Sequence, residues 1–172
     1  MKRTANYKRR INAIRALMDD QKYAQALAKV DGLLGEWQDQ PALLVLRAHL
    51  IQLQEEDGPP LEDAAEALKR ATTLDEQNGD AWLELAHFQF AVEDNAKAAD
   101  KSFAQAVDAS RKTLIAALLG RAAALEELGR KPEAFDCLSA ARYLQSAIAP
   151  NNHSPSAETS LFERWESLVA DR

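Results

Sequence analysis

Four segments of this 172-residue chain share one spacing: an alanine, a large apolar residue four positions on, and a small or apolar residue three further. They are Ala26-Val30-Leu33, Ala64-Leu68-Ala71, Ala99-Phe103-Ala106 and Ala134-Leu138-Ala141, separated by 38, 35 and 35 residues. Steps of four and three keep all three side chains on one face of an α-helix, which turns once every 3.6 residues. A second series precedes the first at each repeat: Ile14, Ala48, Ala86 and Gly120, spaced 34, 38 and 34. Positions of this kind sit where packed helices leave room for only a modest side chain. Self-similarity at about 35 residues marks stacked supersecondary units, each unable to bury its apolar face alone.

Each unit then holds two amphipathic helices joined by a tight turn. The pairs are predicted at about 7–20 with 22–36, 41–54 with 60–74, 79–92 with 95–110, and 113–128 with 131–147. Gly32 and Gly35 are expected to close the second helix and Pro41 to open the third. The run "DGPP" (Asp57 to Pro60) gives a turn followed by a proline at a helix start, where its missing N–H is harmless. Gly129 suits the position just past a helix end, and Pro132 the first turn of the next. No alternating Val/Ile/Thr segment argues for a sheet. The fold class expected from these patterns is all-α.

The stretch "LEDAAEALKRATTLDEQNGDAW" (Leu61 to Trp82) goes further. Its leading apolar residue, then Ala64, Leu68 and Ala71, then an Asp- and Asn-containing turn, then Trp82, resemble a unit of the tetratricopeptide repeat family. Trp82-x2-Leu85-Ala86 follows that family's W-x2-L-G signature with alanine for glycine, and Leu119-Gly120 restores the L-G pair in the fourth unit. The first and fourth units lack the leading tryptophan, and Glu76 stands where proline is usual. The resemblance covers residues 7–147 and implies a right-handed α-solenoid of about four helical hairpins, at about 7–40, 41–78, 79–112 and 113–147. Residues 1–6 form a basic arm and 148–160 a polar linker. Residues 161–172 are expected to form an amphipathic last helix with Leu161, Trp165 and Leu168 on one face. That helix either caps the fourth unit or docks on another copy of the chain, giving a homodimer.

Composition narrows the function. Apolar residues make up 47% and charged residues 28%, which suits a soluble globular domain. The first fifteen residues hold six of the 21 bases and none of the 27 acids, so the remainder is strongly acidic. An acidic body repels phosphate backbones, which leaves nucleic-acid or anionic-membrane contact only to the basic start. No apolar run approaches the ~20 residues of a membrane span, and no signal-peptide pattern follows the basic start, so a cytoplasmic location is expected. The single cysteine, Cys137, makes no internal disulfide and reads as a small buried residue between Phe135 and Leu138.

In the tetratricopeptide family the first helix of each pair lines a concave groove that takes peptide or protein segments. Transferred onto this sequence, the groove residues are Ile11, Arg15 and Met18; Val45, His49 and Gln52; Leu83, His87 and Phe90; and Arg121. The row Arg15, His49, His87, Arg121 is cationic or titratable and its flanks are apolar. Such a surface suits a segment with apolar side chains plus a carboxylate or acidic residue; the plainer alternative is that these positions merely face water. His49 and His87 lack a companion carboxylate or cysteine set for metal. No phosphate loop, nucleophile elbow or Cys/His cluster occurs, so no catalytic residue, metal site or cofactor is expected. The function expected is a non-enzymatic adaptor or scaffold binding a protein segment in the groove. The alternatives are a small acidic secretion chaperone of the type III translocator kind, or contact with nucleic acid or membrane through the arm.

Overall fold

The computed structural model describes residues 2–54 and 58–147; the expected linker at 148–160 and last helix at 161–172 lie outside these. Among the described residues the structure is all helical, with no strand. The elements are α1 (Lys2–Asp19), α2 (Tyr23–Glu36), α3 (Pro41–Gln52), α4 (Leu61–Leu74), α5 (Gly79–Ala91), α6 (Ala96–Glu127) and α7 (Lys131–Ala147). The chain divides into two compact units, 1–110 and 111–172, with the boundary inside α6.

The repeated spacing is what gets buried. Every member of the series Ala26-Val30-Leu33, Ala64-Leu68-Ala71, Ala99-Phe103-Ala106 and Ala134-Leu138-Ala141 is buried, save Phe103, which is half-buried. In the first unit α1 packs on α2, α2 on α3, α3 on α4 and α4 on α5, and α3 also reaches α5. Ile14, Val30, Leu33, Leu43, Leu50, Ile51 and Leu68 form the bulk of that core, each under 2% exposed. The 96–110 part of α6 meets α5 through a buried hydrogen bond, in which Ser102 Oγ donates to Gln89 Oε1 at 2.7 Å. In the second unit Ile115, Ala122 and Leu125 of α6 pack with Ala134, Cys137, Leu138 and Ala141 of α7.

Helix ends follow local chemistry. Pro41 occupies the first turn of α3. Asn78 caps α5, its Oδ1 accepting from Ala81 N–H at 3.0 Å, and Asn95 Oδ1 accepts from Ala98 N–H at the start of α6. Trp82, in the first turn of α5, is half-buried against the core and donates its Nε1–H to the Glu76 carbonyl at 3.0 Å. Gly129 follows α6 at φ +72, with its N–H on Glu126 O and that of Arg130 on Leu125 O. This left-handed stop satisfies two of the last carbonyls of the helix. Gln21 fills the same role after α1 at φ 60, with the same pair of bonds to Met18 and Leu17.

Three expectations are corrected. The helices foreseen at 95–110 and 113–128 are one, α6, because Ser110 to Thr113 contains neither glycine nor proline to stop it. Gly32 and Gly35 do not close α2, which runs to Glu36. Both lie in exposed helical positions with nothing near enough to require a glycine. Likewise α1 begins at Lys2 rather than near residue 7, since alanine, lysine and arginine extend a helix readily. By contrast Gly79 is tightly placed. A Cβ there would collide with Ser110 Oγ and approach the Ser110 amide nitrogen to 3.3 Å.

Two substitutions separate core from ornament. Leu68→Ala removes a buried side chain between packed helices and should lower unfolding stability by about 2–5 kcal/mol. Gly32→Ala should raise it by up to ~1 kcal/mol, because alanine is the better helix former and meets open space. Urea denaturation followed by circular dichroism reads both; a stabilising Leu68→Ala or a destabilising Gly32→Ala would contradict the packing described.

Candidate partner-binding face

In the first unit the expected row is placed by the residue before it. Ile14, Ala48 and Ala86 are completely buried, and Arg15, His49 and His87, each one step further round its helix, are exposed. A step of one residue turns the side chain by about 100°, so a fixed buried position fixes its neighbour outward. Arg15, on α1, stands apart from the α3–α5 contact, whereas His49 and His87 lie on the two helices that make it. Around them, Leu83 is 40% and Phe90 60% exposed on α5. The His87 ring meets Phe103 edge to face, with centroids 5.2 Å apart, which orients the imidazole against α6.

Other members are less available. Ile11, Met18 and Val45 are half-buried and pack against the core, so they support the surface more than they present it. Gln52 Nε2 donates back to the Ala48 carbonyl at 3.2 Å, within its own helix. Arg121 belongs to the second unit. It is exposed, but Gly120 before it is exposed too and no atom crowds that glycine. The buried stripe of this part of α6 runs through Ile115, Ala122 and Leu125 instead. Gly120 therefore does not play the part of Ile14, Ala48 and Ala86. Arg121 acts within its own unit, where its charge helps hold the Glu133 carboxyl below the usual range. The largest contribution to that lowering is the hydrogen bond from Arg130, whose Nε sits 2.6 Å from Glu133 Oε1.

The basic start of the chain is partly engaged. The Arg10 guanidinium pairs with Glu36 at 2.6 Å and lies 5.6 Å from the centre of the Trp37 ring, which Tyr7 meets edge to face. Lys8, Arg9 and Arg15 remain exposed.

Sequence reasoning passed over Arg47. This half-buried residue of α3 has Nε 2.9 Å from Asp31 Oδ1 on α2 and Nη2 3.6 Å from Asp63 Oδ2 on α4, while Nη1 donates to the Asp63 carbonyl at 3.4 Å. One guanidinium fork thus ties three helices together beside a cleft of about 450 Å³. The signal was present: in "PALLVLRAHLIQ" Arg47 is the one residue that carries a permanent charge. Among the described residues no group of three His, Cys, Asp or Glu is placed to hold a metal ion, and no helix is long and apolar enough to cross a membrane. The chain matches no protein-family model and no curated protein.

Two measurements test these placements. Arg47→Ala should cost about 1 kcal/mol, the scale of solvent-accessible ion pairs with some lost stem packing, and a double-mutant cycle with Asp31→Ala should return a coupling below ~1 kcal/mol. In a carboxyl NMR titration Glu133 should protonate below the ordinary glutamate range. Arg130→Ala should move it upward, and by more than Arg121→Ala does; equal effects would place Arg121 wrongly.

Proposed function

We propose that the chain is a non-enzymatic interaction module, a tetratricopeptide-type solenoid acting as adaptor or scaffold, and that its α3–α5 face receives a segment of a partner protein. The observation that supports this reading is the character of α5. Its sequence, "GDAWLELAHFQFA", is apolar nearly all round, a pattern proper to a helix buried on every side. Yet Leu83 and Phe90 stand open to solvent, with His87 between them. Exposed apolar surface beside a titratable side chain is the composition of a docking site. The pairing of α3 with α5, the first helices of successive hairpins, supports the solenoid reading.

The ligand class follows from the side chains. Phe90 and Leu83 accept apolar groups, and His49, His87 and Arg15 supply donors to a carboxylate or acidic residue. Contact with nucleic acid through α1 is the weaker reading, because Arg10 is occupied by Glu36 and Trp37. It predicts a salt dependence that groove binding through apolar contacts does not share.

A panel of acidic peptides with apolar anchors should therefore contain binders of the intact chain. Phe90→Ala should weaken a binder at least ~10-fold, the scale of an aromatic anchor, and His49→Ala/His87→Ala should weaken it by several-fold. Removing Arg121 should leave it unchanged. Affinity indifferent to Phe90 would remove this face from consideration, and affinity abolished by ~0.5 M salt and by Lys8→Ala/Arg9→Ala would move binding to α1.

A further inference from the structure

A second surface lies between α4 and α5, on residues that the first proposal does not use. Here a cleft of about 590 Å³ opens between the start of α4 and the end of α5, within the range that takes a side-chain cluster or small ligand. Phe88 and Ala65 make its buried floor, while Leu61 and Val92 line it at 44% and 40% exposure. Its rim is acidic. Glu62 and Glu66 stand one turn apart on α4, and Glu93 faces them from the end of α5. The only cation lining it among the described residues is Lys69, which already meets Glu93 at 3.8 Å. Among the described residues Glu62 and Glu66 form no ion pair.

Local structure explains only part of this. Glu62 lies in the first turn of α4, where the positive end of the helix favours an acid. Glu66 is a full turn beyond that influence. Neither does folding require Leu61 and Val92 to be large and apolar at positions left open. Glu66 also lines the cleft beside Arg47, but the two arginines there are engaged elsewhere, Arg47 with Asp31 and Asp63 and Arg70 with Asp39 at 3.1 Å. An apolar floor with uncompensated carboxylates above it is complementary to one kind of visitor: an aliphatic or aromatic side chain flanked by cations.

We propose that the α4–α5 cleft docks a cationic segment of another protein, an apolar side chain entering between Leu61 and Val92 while Arg or Lys residues one turn either side meet Glu62 and Glu66. The exposed basic face of α1 is not that visitor in a second copy, because its apolar residues Tyr7, Ile11 and Ile14 are spent on the core. The cation on the visitor is better arginine than lysine, since two carboxylates a turn apart offer acceptors to a planar fork.

The experiment uses the full chain and a fluorescein-labelled synthetic helix of about 16 residues, with leucines at i and i+4 flanked by arginines. Two control peptides carry serine for leucine or glutamate for arginine. Fluorescence anisotropy should show the parent peptide binding at least ~10-fold more tightly than either control. Glu62→Lys/Glu66→Lys should lose at least ~10-fold, Val92→Ser several-fold, and His49→Ala/His87→Ala/Phe90→Ala nothing. Equal binding of the serine control overturns the proposal, because attraction to the acidic body would then suffice. Full binding by the charge-reversed chain overturns it as well. Loss in the α3–α5 variant would place the peptide on the other face, again against it. Circular dichroism checks each variant. If the double reversal lowers helicity, Glu66→Gln replaces it, with a loss of about 3-fold expected and no loss counting against the cleft.

Discussion

No helix of this chain can bury its apolar stripe alone, and the way neighbours share that burial depends on alanine. Ala26, Ala64, Ala99 and Ala134 open the four repeated triplets and are all buried, and the buried Ala48 and Ala86 fill matching positions on the facing helices. A methyl group lets backbones approach closely, and the larger Val30, Leu33, Leu43 and Leu68 then fill what remains. Propensity helps at the same positions, because alanine is also the best helix former. Local preference and tertiary packing therefore agree over most of the described chain, which is the condition for a single well-defined fold.

The parts legible in the sequence are those governed by this agreement. The buried triplets, the turn at Asp75 to Asn78, the stop at Gly129 and the start at Pro41 each rest on one strong local signal. What was misread rests on weak or non-local ones. Glycine inside α2 costs stability without forbidding the helix, so Gly32 could not serve as a boundary. The junction near Ser110 had a repeat period to suggest a turn but no residue to make one. The outward placement of Arg15, His49 and His87 is legible because a buried neighbour fixes their direction. Arg121 is exposed as well, but Gly120 gives it no such anchor, because the burial stripe of α6 runs two residues on, through Ala122. Arg47 and the α4–α5 cleft depend on helices distant in sequence, and no spacing along the chain encodes them.

Charge is distributed by a different logic from apolarity. The acidic excess could be spread evenly as a solubilising shell. Part of it is instead used structurally: Asp31 and Asp63 hold Arg47, Asp39 holds Arg70 and Glu36 holds Arg10. Each pair is partly solvated and modest in energy, but each joins different segments and so resists sliding of one helix along another. Carboxylates left out of this pattern, Glu62 and Glu66 among them, are therefore the ones that call for another explanation.

Helix α5 brings these strands together. Phe88 and Phe90 are two residues apart, about 200° around the helix, and their exposures differ accordingly: Phe88 is buried toward α4 and Phe90 opens to solvent. One helix thus floors the acidic cleft with one aromatic and offers the other to solvent. Its hold on its neighbours is polar as well as apolar, through the buried Gln89–Ser102 hydrogen bond and the close approach of Gly79 to Ser110. Rotating α5 to bury Phe90 would bring Leu85, Ala86 and Phe88, each at most 3% exposed, out of the core. The Gln89 amide, left without its serine, makes that rotation costly. The packing of Leu85, Ala86 and Phe88 and the buried Gln89–Ser102 hydrogen bond together hold Phe90 outward.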